Sequence, residues 1–317
     1  MDLDILQFDF ASDFSEGVAA VRMGDRYAYI DRTGQEVIAV DPIFDGVSPF
    51  SEERALIRVN DVYGYLDRAG TVIVAPQFPS ANPFSQGLAV VRTGTRYGYI
   101  NPAGELVIEP QFVLAIDFAE GVAAVKVDEQ YGYITPDGKW AIGRQFEDAW
   151  SFSESLAVVR VSGQWCYVDR TGKIAIEPAF DGAFSFSESL ARVRQGNQWG
   201  YIDSAGSLVI EPTFDFASDF SEGLAAVLVE RQWGYVDQRG NVAIVPQFDF
   251  ASDFSEELAS IKVGQHIGYI NKISERVIPP QFTNAGSFSE GLAWVQLDSQ
   301  WTFIDQTGAF LKKGTWA

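Results

Sequence analysis

A phenylalanine that opens a recurring F-S-E-G-L-A phrase stands at Phe14, Phe50, Phe84, Phe118, Phe152, Phe186, Phe220, Phe254 and Phe288, spaced 36 residues once and 34 thereafter. The two additional residues fall around Ala39 to Pro42. Nine copies of so short a unit constrain the fold strongly: a segment under ~40 residues cannot bury enough surface to stand alone, so neighbouring copies must stabilise one another. No linker, low-complexity stretch or change of composition interrupts the series, and residues 1–317 read as a single repeat domain.

The third copy shows what a unit builds. Leu88 to Arg92 is short, apolar and β-branched, the pattern of a mostly buried strand. Thr93-Gly94-Thr95-Arg96 turns the chain, and Tyr97-Gly98-Tyr99-Ile100-Asn101 returns with both aromatics on one face. Glycine inside a strand marks a close approach to the backbone, and an aromatic ring from a neighbouring unit is expected over Gly98. Asn101-Pro102-Ala103-Gly104 is a second tight turn and Leu106-Val107-Ile108 a third strand, which Pro110 should end because it has no N–H to donate. The unit is therefore an antiparallel three-stranded meander, with a packed connection that runs on through Phe112, Ala115 and Phe118.

Fixed positions repeat this logic along the chain. Counting from the anchor Phe, the fifth following residue is always Ala, the seventh always Val or Ile and the fifteenth always aromatic. The thirteenth is Tyr or Trp except at Ile267, and Gly follows it except at Ala28, Cys166 and Thr302. A P-x-F phrase such as Pro76-Gln77-Phe78 closes most units.

These three phrases at fixed spacing, W/Y-G-Y-I-D-x-x-G between F-S-E-G-L-A-x-V and V-I-x-P-x-F, resemble the bacterial WG-repeat family over Phe8 to Trp316. The resemblance implies a bacterial all-β repeat protein that serves as an interaction module. The family has no general reaction, so it implies no catalytic residue.

Nine units in frame form either a propeller-like ring or an open β-superhelix. A three-stranded meander ends opposite its start, so the connection must cross back, with a short fourth strand expected near Phe112 to Ala115. Lys312-Lys313 would suit the capped end of an open solenoid. The first unit, with almost no polar substitution on its core positions, favours the ring.

Forty-three acids against 23 bases give a formal charge of −20. Such a surface repels phosphate backbones and anionic headgroups, so nucleic acid and membrane insertion are not expected. One cysteine, Cys166, permits no internal disulfide, and an acidic N-terminus without a long apolar run reads as cytoplasmic. The only histidine, His266, lies three repeats from Cys166, too few ligands for zinc. One acid per D-x-x-G turn, Asp31 or Asp67 for example, is likewise too sparse for calcium. No cofactor or metal is expected.

The Glu two places after the anchor Phe, with Gln86 in one unit, reads as a turn cap or ion-pair partner for the Arg or Lys six places on. Specificity should sit where units differ. The first hairpin tips vary, and Arg26, Asp61, Arg96, Glu129, Asn197, Arg231 and His266 are candidate partner contacts; the off-repeat Trp140, Trp150 and Trp294 are candidate anchors. The sequence thus predicts a non-enzymatic scaffold that binds another protein. The alternatives are a small-ligand or glycan binder in a channel or concave face, and a propeller-type glycoside hydrolase.

Overall fold

The computed structural model describes residues 5–312. The chain forms two compact units: Met1–Gln77, Arg231–Tyr235 and Val242–Ala317 in the first, Phe78–Glu230 and Val236–Asn241 in the second. The described residues are all-β, folded into nine small antiparallel sheets of three or four strands, each one blade.

Repeat 3, in the second unit, shows why the sequence gives a blade. Ala89–Thr93 pairs with Arg96–Ile100 in unbroken register, and Arg96–Ile100 then pairs with Leu106–Phe112. Between the pairs Tyr97↔Phe112 and Tyr99↔Ile108 the register shifts, so the third strand bulges and continues to Phe112. Pro110 therefore does not end the strand as its missing N–H suggested; it lies in the bulge, where no ladder donor is needed. A Cβ added to Gly98 would lie 2.5 Å from the Ile108 carbonyl oxygen and 2.8 Å from the Pro110 nitrogen. What packs on Gly98 is thus the unit's own bulged strand, not a neighbour's ring. Repeat 1, with Ala28 in place of Gly, pairs Ala28↔Ala39 and Tyr29↔Ile38 without that shift. Cys166 keeps the bulge, and burial pushes its thiol up to about 11.

The short fourth strand is present at Leu114–Ala115, but it pairs with Lys126 and Val125 of the following repeat. It is the first strand of the next blade, so one connection serves two sheets. The fifteenth-position tyrosine fastens that junction. Tyr99 is fully buried, packs on Phe118 of the next repeat at 4.9 Å and donates its hydroxyl to the Ile116 carbonyl at 2.9 Å. Tyr133 does the same with Phe152 and the Trp150 carbonyl, and Tyr201 with Phe220 and the Ser218 carbonyl. Each ring pair adds roughly 0.5–1.5 kcal/mol beyond the area it buries.

The first unit contains the closure. Ser289 Oγ donates to the Phe14 carbonyl at 2.8 Å, the same bond that Ser15 makes to Phe50 and Ser255 to Phe288. Phe303 packs on Phe14 at 5.0 Å, as Tyr29 packs on Phe50 at 4.8 Å. The ninth sheet has three strands of its own, and Phe8 pairs with Trp301 where other repeats use the Phe of their P-x-F phrase. Ile5 bridges Lys312, so this lysine lies in the seam and caps no open end; Lys313 lies outside the described residues. Within the first unit the ninth repeat therefore meets the first through the same contacts that join other successive repeats, as the ring reading expected.

Candidate functional site

The recurring polar positions are taken up by the fold. The Glu after the anchor Phe has a left-handed backbone (Glu120 φ 50°, Glu154 φ 52°), and its carboxylate accepts the backbone N–H in the same turn of the next repeat. Glu120 takes Ser155 at 3.1 Å, Glu154 takes Ser189 at 3.0 Å, and Glu290 takes Gly17 at 2.9 Å across the closure. Gln86 does this with one oxygen, to Gly121 at 2.7 Å. Glu120 also meets Arg170 of the next repeat at 2.6 Å. The basic residue six places on bonds elsewhere: Arg58 meets Asp45 at 2.7 Å and Lys126 faces Glu129 at 3.8 Å. In the second turn, Asp31 Oδ1 accepts the N–H groups of Thr33 and Gln35, an Asx turn. Among the described residues no group of three or more His, Cys, Asp and Glu could hold a metal ion.

The candidate contacts predicted from sequence are dispersed. Asp61, Arg96, Glu129, Asn197, Arg231 and His266 are exposed, each on its own hairpin. Arg26 is held by a two-pronged bond to Glu36 at 2.8 and 2.6 Å. Trp140 is exposed, with its ring edge against Gly132. Trp294 is half-buried, packed at a tilt against Trp301 with ring centroids 4.7 Å apart, and bonded to Asp13.

Trp150 belongs to a larger group of rings, as Trp294 does through Trp301, Phe10 and Tyr27 in the first unit. In the second unit Trp165, Trp150, Phe184, Trp199 and Phe216 form a continuous track, with successive ring centroids 6.4, 5.5, 5.6 and 5.7 Å apart. Trp150 and Phe216 are 41% and 38% exposed, so the track is open at its surface. Arg192 is set into it. Its guanidinium carbon lies 3.7 Å from the Phe184 ring centre and 5.6 and 5.7 Å from those of Phe216 and Trp199. One edge donates to the Ala217 carbonyl at 2.8 Å, and Nε faces Asp219 at 2.8 Å. At Arg192's place the other repeats carry Ala20, Leu56, Val90, Ala124, Val158, Ala226, Ser260 and Trp294, so this arginine is the only charged residue there. A comparison of that single column would have found it, and Phe184 departs from a mainly small or polar column in the same way.

Two repeats earlier the corresponding place is open. A pocket of about 430 Å³ is lined by Ile116, Asp117, Tyr131, Asp148, Ala149 and Trp150, among others. Burial raises the Asp117 carboxyl above its ordinary range, against a hydrogen bond from Asn82. Burial likewise raises the Tyr131 phenol, with the Asp148 carboxylate adding to the effect. A second pocket, of about 200 Å³ and lined by Tyr27, Asp45, Ser48 and Arg58, lies in the first unit, where Arg58 already matches Asp45.

The sequence profile described as the WG containing repeat matches the chain nine times, at residues 6–27, 27–63, 63–94, 97–131, 131–165, 167–199, 199–230, 233–265 and 267–301. Among solved structures, a eukaryotic initiation factor aligns over 93% of this chain and 95% of its own with a TM-score of 0.67 and 12% identity, a likeness of fold alone. BamB from Moraxella catarrhalis aligns over 76% of this chain and 83% of its own, with a TM-score of 0.44 and 11% identity. The comparison with curated proteins gives no match.

Proposed function

We propose, for a chain that belongs to the WG-repeat family, that it is a non-catalytic scaffold that binds another protein through residues departing from the repeat. The observation that carries this reading is the contrast between the two kinds of position. Recurring Ser, Glu and Tyr side chains bond the next repeat, whereas Trp150 and Phe184, which depart from the repeat, join Trp165, Trp199 and Phe216 in one half-exposed track. Exposed aromatics beside charged groups are the composition of interaction hot spots. Charge adds to it: at −20 the chain favours partners with basic surfaces, in a cytoplasmic setting. Open tryptophan rings also suit the apolar faces of sugars, so a neutral glycan is the second reading.

The test is a pull-down with the intact chain as bait, beside one whose hairpin tips are reset to a single sequence and one carrying Trp150→Ala. Stoichiometric capture of a protein by the native chain, lost in either variant, supports the scaffold and tells track from tips. No captured protein, together with a hit in a glycan screen, replaces the scaffold with the glycan reading.

A further inference from the structure

Positions equivalent to those around Arg192 are occupied twice in the second unit, with opposite results. Around Arg192 they are Phe184, Trp199, Phe216 and Ala217, with Asp219 as counter-ion, and the guanidinium fills the space between them. Two repeats earlier the same positions hold Ile116, Tyr131, Asp148, Ala149 and Ser151, and the space is the open pocket of about 430 Å³. The residue in Arg192's place is there Ala124, a buried methyl too short to reach the space. The remaining walls suit the missing group. Tyr131 and Trp150 supply ring surface, and Asp148 and Asp117 supply carboxylates, displaced along the chain from Asp219's position but lining the same space.

We propose that this pocket receives an arginine side chain of a partner protein, stacked and paired as Arg192 is within the chain itself. The proposal rests on the scaffold reading and names the chemistry its partner presents. Three observations favour arginine over other occupants. The chain already holds a guanidinium among the equivalent residues, with a carbonyl at one edge and a carboxylate at Nε. Ring walls accept the flat face of a guanidinium better than the compact, strongly hydrated ammonium of lysine. In this pocket the carboxylates lie opposite no basic side chain among the lining residues, whereas Arg58 occupies that role in the first unit.

The experiment is calorimetric titration of the full chain with a blocked Gly-Arg-Gly-Arg-Gly peptide, beside versions carrying citrulline or lysine, and beside a neutral glucan hexasaccharide. The arginine peptide should bind about tenfold more tightly than the citrulline one, with lysine between them, and more weakly as salt rises. Asp148→Asn should lower the arginine affinity about tenfold, and Ala124→Arg should abolish binding by supplying the guanidinium from within. Should Ala124→Arg not fold, Asp148→Asn and Tyr131→Leu carry the test alone. Equal binding of arginine and citrulline peptides, full affinity in Asp148→Asn, or binding of the glucan alone would each overturn the proposal. The two readings fail separately. A partner protein captured equally by the native chain and by Asp148→Asn leaves the scaffold standing without this pocket, whereas no captured partner removes the scaffold itself.

Discussion

Phe8 and Trp301, from opposite ends of the chain, exchange both backbone hydrogen bonds, at 2.8 and 2.9 Å. Phe8 takes the ladder position that Phe214 takes opposite Trp199 inside one repeat, and it is 2% exposed. The segment Gln7 to Phe14 has the same sequence as Gln247 to Phe254, so the chain opens with the end of a unit whose beginning lies at the other terminus. Phe8→Ala should therefore cost about 3–5 kcal/mol, as for a buried core ring. Removing residues 1–9 should also expose the Trp301 edge and promote association through it. Urea unfolding and light scattering check both effects.

The carboxylate of Glu120 holds Ser155 from a backbone conformation that glutamate rarely adopts. Glu120→Ala should cost about 1–2 kcal/mol by removing the acceptor while keeping the strained φ. Glu120→Gly should cost less, since glycine relieves the backbone, and Glu120→Gln least, because Gln86 already makes the contact with one oxygen. Equal losses in all three, read from urea midpoints, would refute the role of the side chain.

Tyr29, Tyr99, Tyr133, Tyr167, Tyr235 and Tyr269 all have phenols that burial raises above the ordinary tyrosine range. The native state thus holds protons that the unfolded chain releases above a pH of about 10. Stability from these groups is complete below that pH and falls as pH rises beyond it, by up to about 1.4 kcal/mol per pH unit for each phenol. Unfolding midpoints measured across that range should drop steeply, and a flat profile would show the phenols to be accessible.

Arg192→Ala removes a guanidinium stacked on Phe184 and facing Asp219. It should cost about 1–2 kcal/mol, with Arg192→Lys recovering less than half, because an ammonium keeps the charge but not the planar stack. Thermal unfolding of the three chains is the measurement. Recovery to the native value in the lysine variant would assign the whole effect to charge.

The blade was legible because its determinants are local and repeated. Val91, Tyr99 and Gly104 each signal a strand or a turn within a few residues. The resemblance to the WG repeat is equally plain, and the apolar core positions of the first repeat anticipate its contacts with the ninth through Ser289 and Phe8. What packs on Gly98 was misread, because a strand bulge juxtaposes residues ten to twelve positions apart without leaving a periodic trace. The track was missed for a different reason. Trp150 stood out singly, but its neighbour Phe184 comes from the next repeat, and sequence spacing says nothing about which rings meet across a junction.

The bond from Ser289 to Phe14 and that from Glu290 to Gly17 have a mechanical consequence. In a linear repeat array the outermost copy has one neighbour instead of two, and melting starts there. Here the ninth copy is fastened to the first as a copy is to its successor, so neither of these two is an outermost copy, and detaching either means releasing a fastening on each side of it.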